Sequence, residues 1–138
     1  MESKSSDINF DRVILTLNSI SETIKNLIEW NIKISSVSEY YSSPSGMQLL
    51  AANCTLITAI GEGINRINRI APDFLSSYFP KIPWIDIIGM RNRIAHGYFE
   101  LDADIVLDAV KNGVPPLYDA ILRAIEIAKE QQLKALSE

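Results

Sequence analysis

The chain has 138 residues, with 13 Lys and Arg against 17 Asp and Glu, one cysteine and one histidine. That length makes one domain with a real core, and a charged fraction of 22% is too low for a disordered chain. A net charge of −4 excludes a general nucleic-acid coat protein, whose affinity would come from Lys and Arg. Cys54 has no partner for an intramolecular disulfide and lies in an apolar run, as expected of a small buried hydrophobe in a reducing compartment. Met1 to Asp7 is polar with no signal-peptide core behind it. No segment approaches the roughly 20 uninterrupted apolar residues of a bilayer span. The expectation is a soluble, cytoplasmic protein without membrane contact, residues 1–138 forming one domain.

In chain order, the first helix starts near Phe10 with Asp7 as its cap. Phe10, Val13, Ile14, Leu17, Ile20, Ile24, Leu27 and Ile28 keep the three-four spacing of one helix face. The pattern runs on through Ile34 and Val37 to Tyr40 and Tyr41, which predicts a long first helix. Ser42-Ser43-Pro44 breaks it, with Ser43 as cap and Pro44 at the first position of the next helix. That helix, about Pro44 to Ile70, is apolar on more than one stripe and so predicts a central position with several neighbours. Gly61 and Gly63 within it each cost about 1 kcal/mol against alanine, which makes sense where another backbone comes close. Asp73 to Phe79 predicts one or two turns. A core helix follows from Trp84 to about His96, with Gly97 as its stop and Trp84 as a packing anchor. Asp104 to Lys111 predicts a short helix ended by Asn112-Gly113, and Pro115-Pro116 open the last one. The sum is an all-α, up-and-down bundle of four to five helices.

Chemistry concentrates in Arg91-Asn92-Arg93-Ile94-Ala95-His96-Gly97-Tyr98. Arginine braces a phosphate through a planar fork of donors, and histidine, with an ordinary pKa of about 6.5, exchanges protons near neutrality. Arg91 and His96 stand about 140° apart on a regular helix, so serving one pocket requires a break near Gly97. Between Gly61 and Tyr98 five cations face three anions, a basic locality on an acidic body. Arg66, Arg69 and Arg93 are candidate RNA contacts. Glu62 either orients Arg91 or His96 or is merely solvated between the glycines. Tyr40 and Tyr41 either stack on bases or pack in the core. Cleaving RNA without metal needs a base for the 2′-hydroxyl, an acid for the leaving 5′-oxygen and positive charge on the phosphorane. One histidine does not supply both proton steps, so a two-fold dimer with facing motifs is expected. From the residues alone, a solvated Arg-Asn-Arg face and a structural helix-end histidine stand beside the catalytic reading.

The stretch from about Met47 to Leu117 resembles the HepT-type branch of the HEPN superfamily. The resemblance rests on Ile60-Gly61-Glu62, Asn65, Pro83-Trp84, Ile87-Ile88-Gly89-Met90-Arg91-Asn92 and His96-Gly97-Tyr98-Phe99. It implies a HEPN-like helical homodimer that is a metal-independent endoribonuclease, the toxin of a type VII toxin–antitoxin pair. Its antitoxin would be a minimal nucleotidyltransferase (MNT) protein that transfers AMP from ATP to tyrosine. By the resemblance, Arg91 and His96 are the catalytic pair, Asn92 is the supporting polar residue and Tyr98 is the AMPylated residue. No metal or other cofactor is implied. The rival reading is a non-catalytic HEPN-like module that holds a nucleotidyltransferase or a nucleotide.

Overall fold

Helix α1 (Phe10–Trp30) begins where the Asn9 side chain accepts a hydrogen bond from the Arg12 amide at 3.2 Å. The cap is therefore Asn9, two residues past the expected Asp7. The computed structural model describes residues 7–94 and 102–137, and all regular structure among them is helical. After α1 come α2 (Ser38–Tyr41), α3 (Pro44–Ile70), α4 (Phe74–Tyr78), α5 (Trp84–Ile94), α6 (Ala103–Asp108) and α7 (Val114–Ser137). A π turn over Ala109–Gly113 joins α6 to α7. The expected bundle of four to five helices is what forms, supplemented by the short α2 and α4.

Helix α3 touches α1, α2, α5 and α6, and α1 lies between α3 and α7. The broad apolar surface of α3 has this cause: Leu50, Ile57, Ile60, Ile64 and Ile67 are buried by different neighbours. Each such side chain contributes about 1.5–3 kcal/mol on leaving water. By length and apolar content α3 is the one described helix that passes as a membrane span, which the unbroken-run criterion overlooked. Its buried face belongs to the core of the bundle. Ser43 accepts from the Gly46 amide at 3.0 Å, and Pro44 holds the first turn, as the sequence predicts.

Two boundaries differ from expectation. Helix α1 stops at Trp30 instead of running to Tyr41, because Asn31 leaves the helical path and spends its side chain elsewhere. Asparagine competes with the backbone for hydrogen bonds in this way. Asn31, Asn53 and Tyr40, each fully buried, form one polar cluster. The Asn31 amide donates to the Leu27 carbonyl at 2.7 Å and to Asn53 Oδ1 at 2.8 Å. Asn53 donates to Asn31 Oδ1 at 2.8 Å and to the Tyr40 hydroxyl at 3.0 Å, and Tyr40 donates to Asn31 Oδ1 at 2.9 Å. Burial pushes the Tyr40 hydroxyl above its usual pKa.

The second difference lies at the prolines. No break precedes α7: the Val114 amide reaches the Ala109 carbonyl, five residues back. The widened turn accommodates Pro115 and Pro116, which have no amide to donate and need room against the preceding turn. Lys111 of this turn donates to the Asn31 carbonyl at 2.8 Å and so ties the turn to the end of α1.

Replacing Asn53 with Ala strands the buried Asn31 and Tyr40 groups, and each orphan costs about 1–3 kcal/mol. Urea unfolding of Asn53→Ala is expected to show a loss of about 2–4 kcal/mol, and Tyr40→Phe a loss of about 1 kcal/mol.

Candidate functional site at the contact of α3 and α5

The start of α5 is anchored by Trp84. Its indole nitrogen donates to the Phe79 carbonyl at 3.0 Å, and its ring is buried edge-on to Phe79. From this anchor α5 lies on α3 at Gly61. A Cβ there would stand 3.1 Å from the Ile87 carbonyl oxygen and 3.4 Å from the Ile88 Cα, closer than most side chains tolerate. Gly61 thus has the backbone neighbour its position predicted. Gly63 does not: an added Cβ would meet the Ile20 side chain of α1 at 2.8 Å.

One residue beyond Gly61, Glu62 pairs with Arg91 of α5 at 3.7 Å. The two side chains are 59% and 50% exposed, so the pair is a solvated one. A pair this open contributes under about 1 kcal/mol. The Arg91 guanidinium beside Glu62 stays accessible to a ligand.

Asn92 and Arg93 are exposed, and an Arg93 guanidinium nitrogen lies 3.8 Å from the Met90 sulfur. Arg66 and Arg69 are exposed on α3. Residues 62, 66 and 69 share one helical stripe, so these arginines lie about 6 and 10 Å along α3 from Glu62. His96, Gly97 and Tyr98 fall outside the described residues. Tyr40 is fully buried in the polar cluster and not available to a base, whereas Tyr41 is 52% exposed. Cys54 is half-buried, and burial pushes its thiol pKa up, away from the reactive thiolate. Among the described residues no group of three or more His, Cys, Asp or Glu side chains forms a metal-ligating set.

The sequence reading passed over a second feature of α5. Its outward stripe holds Ile85, 85% exposed, and Gly89, with nothing within 4 Å of where a Cβ would stand. The signal was a glycine at mid-helix, for which no packing neighbour stands among the described residues.

An all-α bundle whose central helix meets an Arg-bearing helix at a glycine contact is the class these elements define. The family described as "Ribonuclease HepT-like" matches residues 45–125, and the chain belongs to that family. Among curated proteins, the chain is 30% identical over 101 residues to "Putative RNase MJ1380" of Methanocaldococcus jannaschii, covering 73% of this chain and 85% of that protein. It is also 30% identical over 56 residues to "Probable ribonuclease HepT" of Thermococcus cleftensis, covering 41% of this chain and 51% of that one. A third relative, "Gamma-glutamylcyclotransferase and putative RNase MJ0434" of M. jannaschii, is 30% identical over 114 residues, 83% of this chain but 48% of its own length. No solved structure matches with comparable significance.

Gly61→Val is expected to push α5 off α3 and cost about 1–3 kcal/mol, read as a fall in thermal midpoint. Glu62→Gln, which breaks only an exposed pair, is expected to change stability by less than about 1 kcal/mol.

Proposed function

We propose that this protein is the toxin of a type VII toxin–antitoxin pair, a metal-independent endoribonuclease silenced by AMPylation of Tyr98. The observation that carries the reading is Arg91. Its guanidinium is exposed and lies 3.7 Å from Glu62, on the helix that runs toward His96, inside the stretch that matches a ribonuclease family.

In the proposed reaction the substrate's 2′-oxygen attacks the adjacent phosphorus while His96 of one copy takes its proton. The bond from phosphorus to the 5′-oxygen breaks, and that oxygen receives a proton from His96 of the second copy. A 2′,3′-cyclic phosphate and a free 5′-hydroxyl result. Arg91 leaves Glu62 for the phosphorane, whose added negative charge it binds more strongly than the starting diester. Asn92 supports the phosphate beside it. Arg66, Arg69 and Arg93 hold flanking phosphates, which localises RNA affinity on a chain that is acidic overall.

The second copy is supported by the open stripe of α5. Ile85, Gly89 and Asn92 follow the i, i+4, i+7 spacing and turn away from α3. Gly89 admits a second backbone, so the stripe suits a two-fold contact between two copies of the chain. The partner that switches the enzyme off is a nucleotidyltransferase antitoxin of the MNT type. AMP on the Tyr98 hydroxyl adds a phosphodiester that competes for Arg91 and an adenine that fills the RNA site.

Pure protein in EDTA is expected to cleave RNA, and Arg91→Ala and His96→Ala are each expected to lose about 100-fold or more while staying folded. Adenylylation of Tyr98, followed by intact mass, is expected to abolish cleavage, and Tyr98→Phe to escape that control. A folded, unmodified wild type with no cleavage would favour the non-catalytic binding module, which the net charge of −4 also suits.

A further inference from the structure

Helices α5 and α6 both lean on α3, and a groove of about 330 Å³ opens between them. Ile87, Met90, Ile105 and Ala109 form its floor, and Asp86, Asp104 and Asp108 stand around it against one cation, Arg93. Asp108 accepts from the Asn112 amide at 2.8 Å. The carboxylates of Asp86 and Asp104 make no hydrogen bond or ion pair among the described residues. Gly113 completes the wall, and among the described residues nothing lies within 4 Å of where its Cβ would stand.

We propose that this groove docks a basic amphipathic helix of a protein partner, with an apolar side chain on the floor and Lys or Arg against Asp86 and Asp104. Charge decides the class of occupant. Three carboxylates against one guanidinium repel a phosphate backbone, so the groove itself does not suit RNA. The groove is open along one side, whereas small-molecule pockets enclose most of their ligand. An apolar centre flanked by the carboxylates of Asp86 and Asp104, unpaired among the described residues, is the complement of a helix with an apolar stripe and cationic flanks. Ion pairs at such a rim set orientation and encounter rate, while the apolar contact holds the complex. The inference does not rest on ribonuclease activity, because none of the groove residues except Arg93 belongs to the proposed RNA site.

The test uses the full chain and a fluorescein-labelled helical peptide of Leu, Ala and Lys, with Leu on one stripe and Lys flanking it. Anisotropy is read at about 0.15 M salt, where distant surface charges are screened. Wild type is expected to bind. Asp86→Asn with Asp104→Asn, and separately Gly113→Leu, which fills the open space, are each expected to weaken binding about tenfold or more. Asp119→Asn with Glu130→Gln, which removes the same charge from exposed positions on α7, is expected to leave binding unchanged. Absence of binding, or equal weakening by the α7 pair, overturns the proposal. So does loss of RNA affinity in the groove variants, which would give the groove to nucleic acid. Their conversion from dimer to monomer on sedimentation would give it to a second copy and overturn it equally.

Discussion

At Gly61 the backbone of α5 lies so close to α3 that an added methyl group would stand 3.1 Å from the Ile87 carbonyl oxygen. The uses of α5 depend on that approach. Because one face of the helix is pressed onto α3 through Ile87 and Ile88, its remaining faces are fixed in direction. Arg91 falls at the edge of the contact, within reach of Glu62 yet half exposed. Ile85 and Gly89 point to open solvent, and Asp86, Met90 and Arg93 line the groove toward α6. One glycine therefore sets the orientation of three surfaces with different chemistry. Its cost in helix propensity, about 1 kcal/mol, is offset by the α3–α5 packing it allows.

The far end of the bundle is held differently. There Asn31, Asn53 and Tyr40 satisfy one another in a place that excludes water, and Lys111 brings the π turn to the end of α1. An unpaired member of such a cluster would be costly, so the cluster defines one arrangement of α1, α2 and α3. It lies on the opposite stretch of α3 from Gly61. The central helix thus has a polar clasp in its first half and the α5 backbone contact in its second.

Much of this was legible in the sequence. The apolar spacing of α1, the Ser43-Pro44 start of α3 and the Trp84 anchor of α5 are local signals with local causes, and they placed the helices. Gly61 was legible as a close approach because a mid-helix glycine is expensive without a reason. Gly63 carries the same local signal, but its neighbour is a side chain, and spacing along one helix does not reveal what lies across from it. The α1 boundary was missed because the apolar rhythm continues past Asn31, while the hydrogen bonds that end the helix come from Asn53, 22 residues away. Pro115 and Pro116 read as a break because two missing amides usually make one, and a π turn leaves no compositional mark. The candidate site was legible as a list of residues. The Glu62–Arg91 pairing and the carboxylate-rimmed groove required the packing of three helices.

In the proposed reaction Arg91 and His96 direct a 2′-hydroxyl against the neighbouring phosphate. The most direct measurement is the chemistry of the ends left on a defined RNA by the purified protein. The account predicts 2′,3′-cyclic phosphate on the upstream fragment and 5′-hydroxyl on the downstream one, since the nucleophile comes from the RNA itself. Fragments ending in 3′-hydroxyl and beginning with 5′-phosphate would mean that water or hydroxide made the attack, and would contradict it.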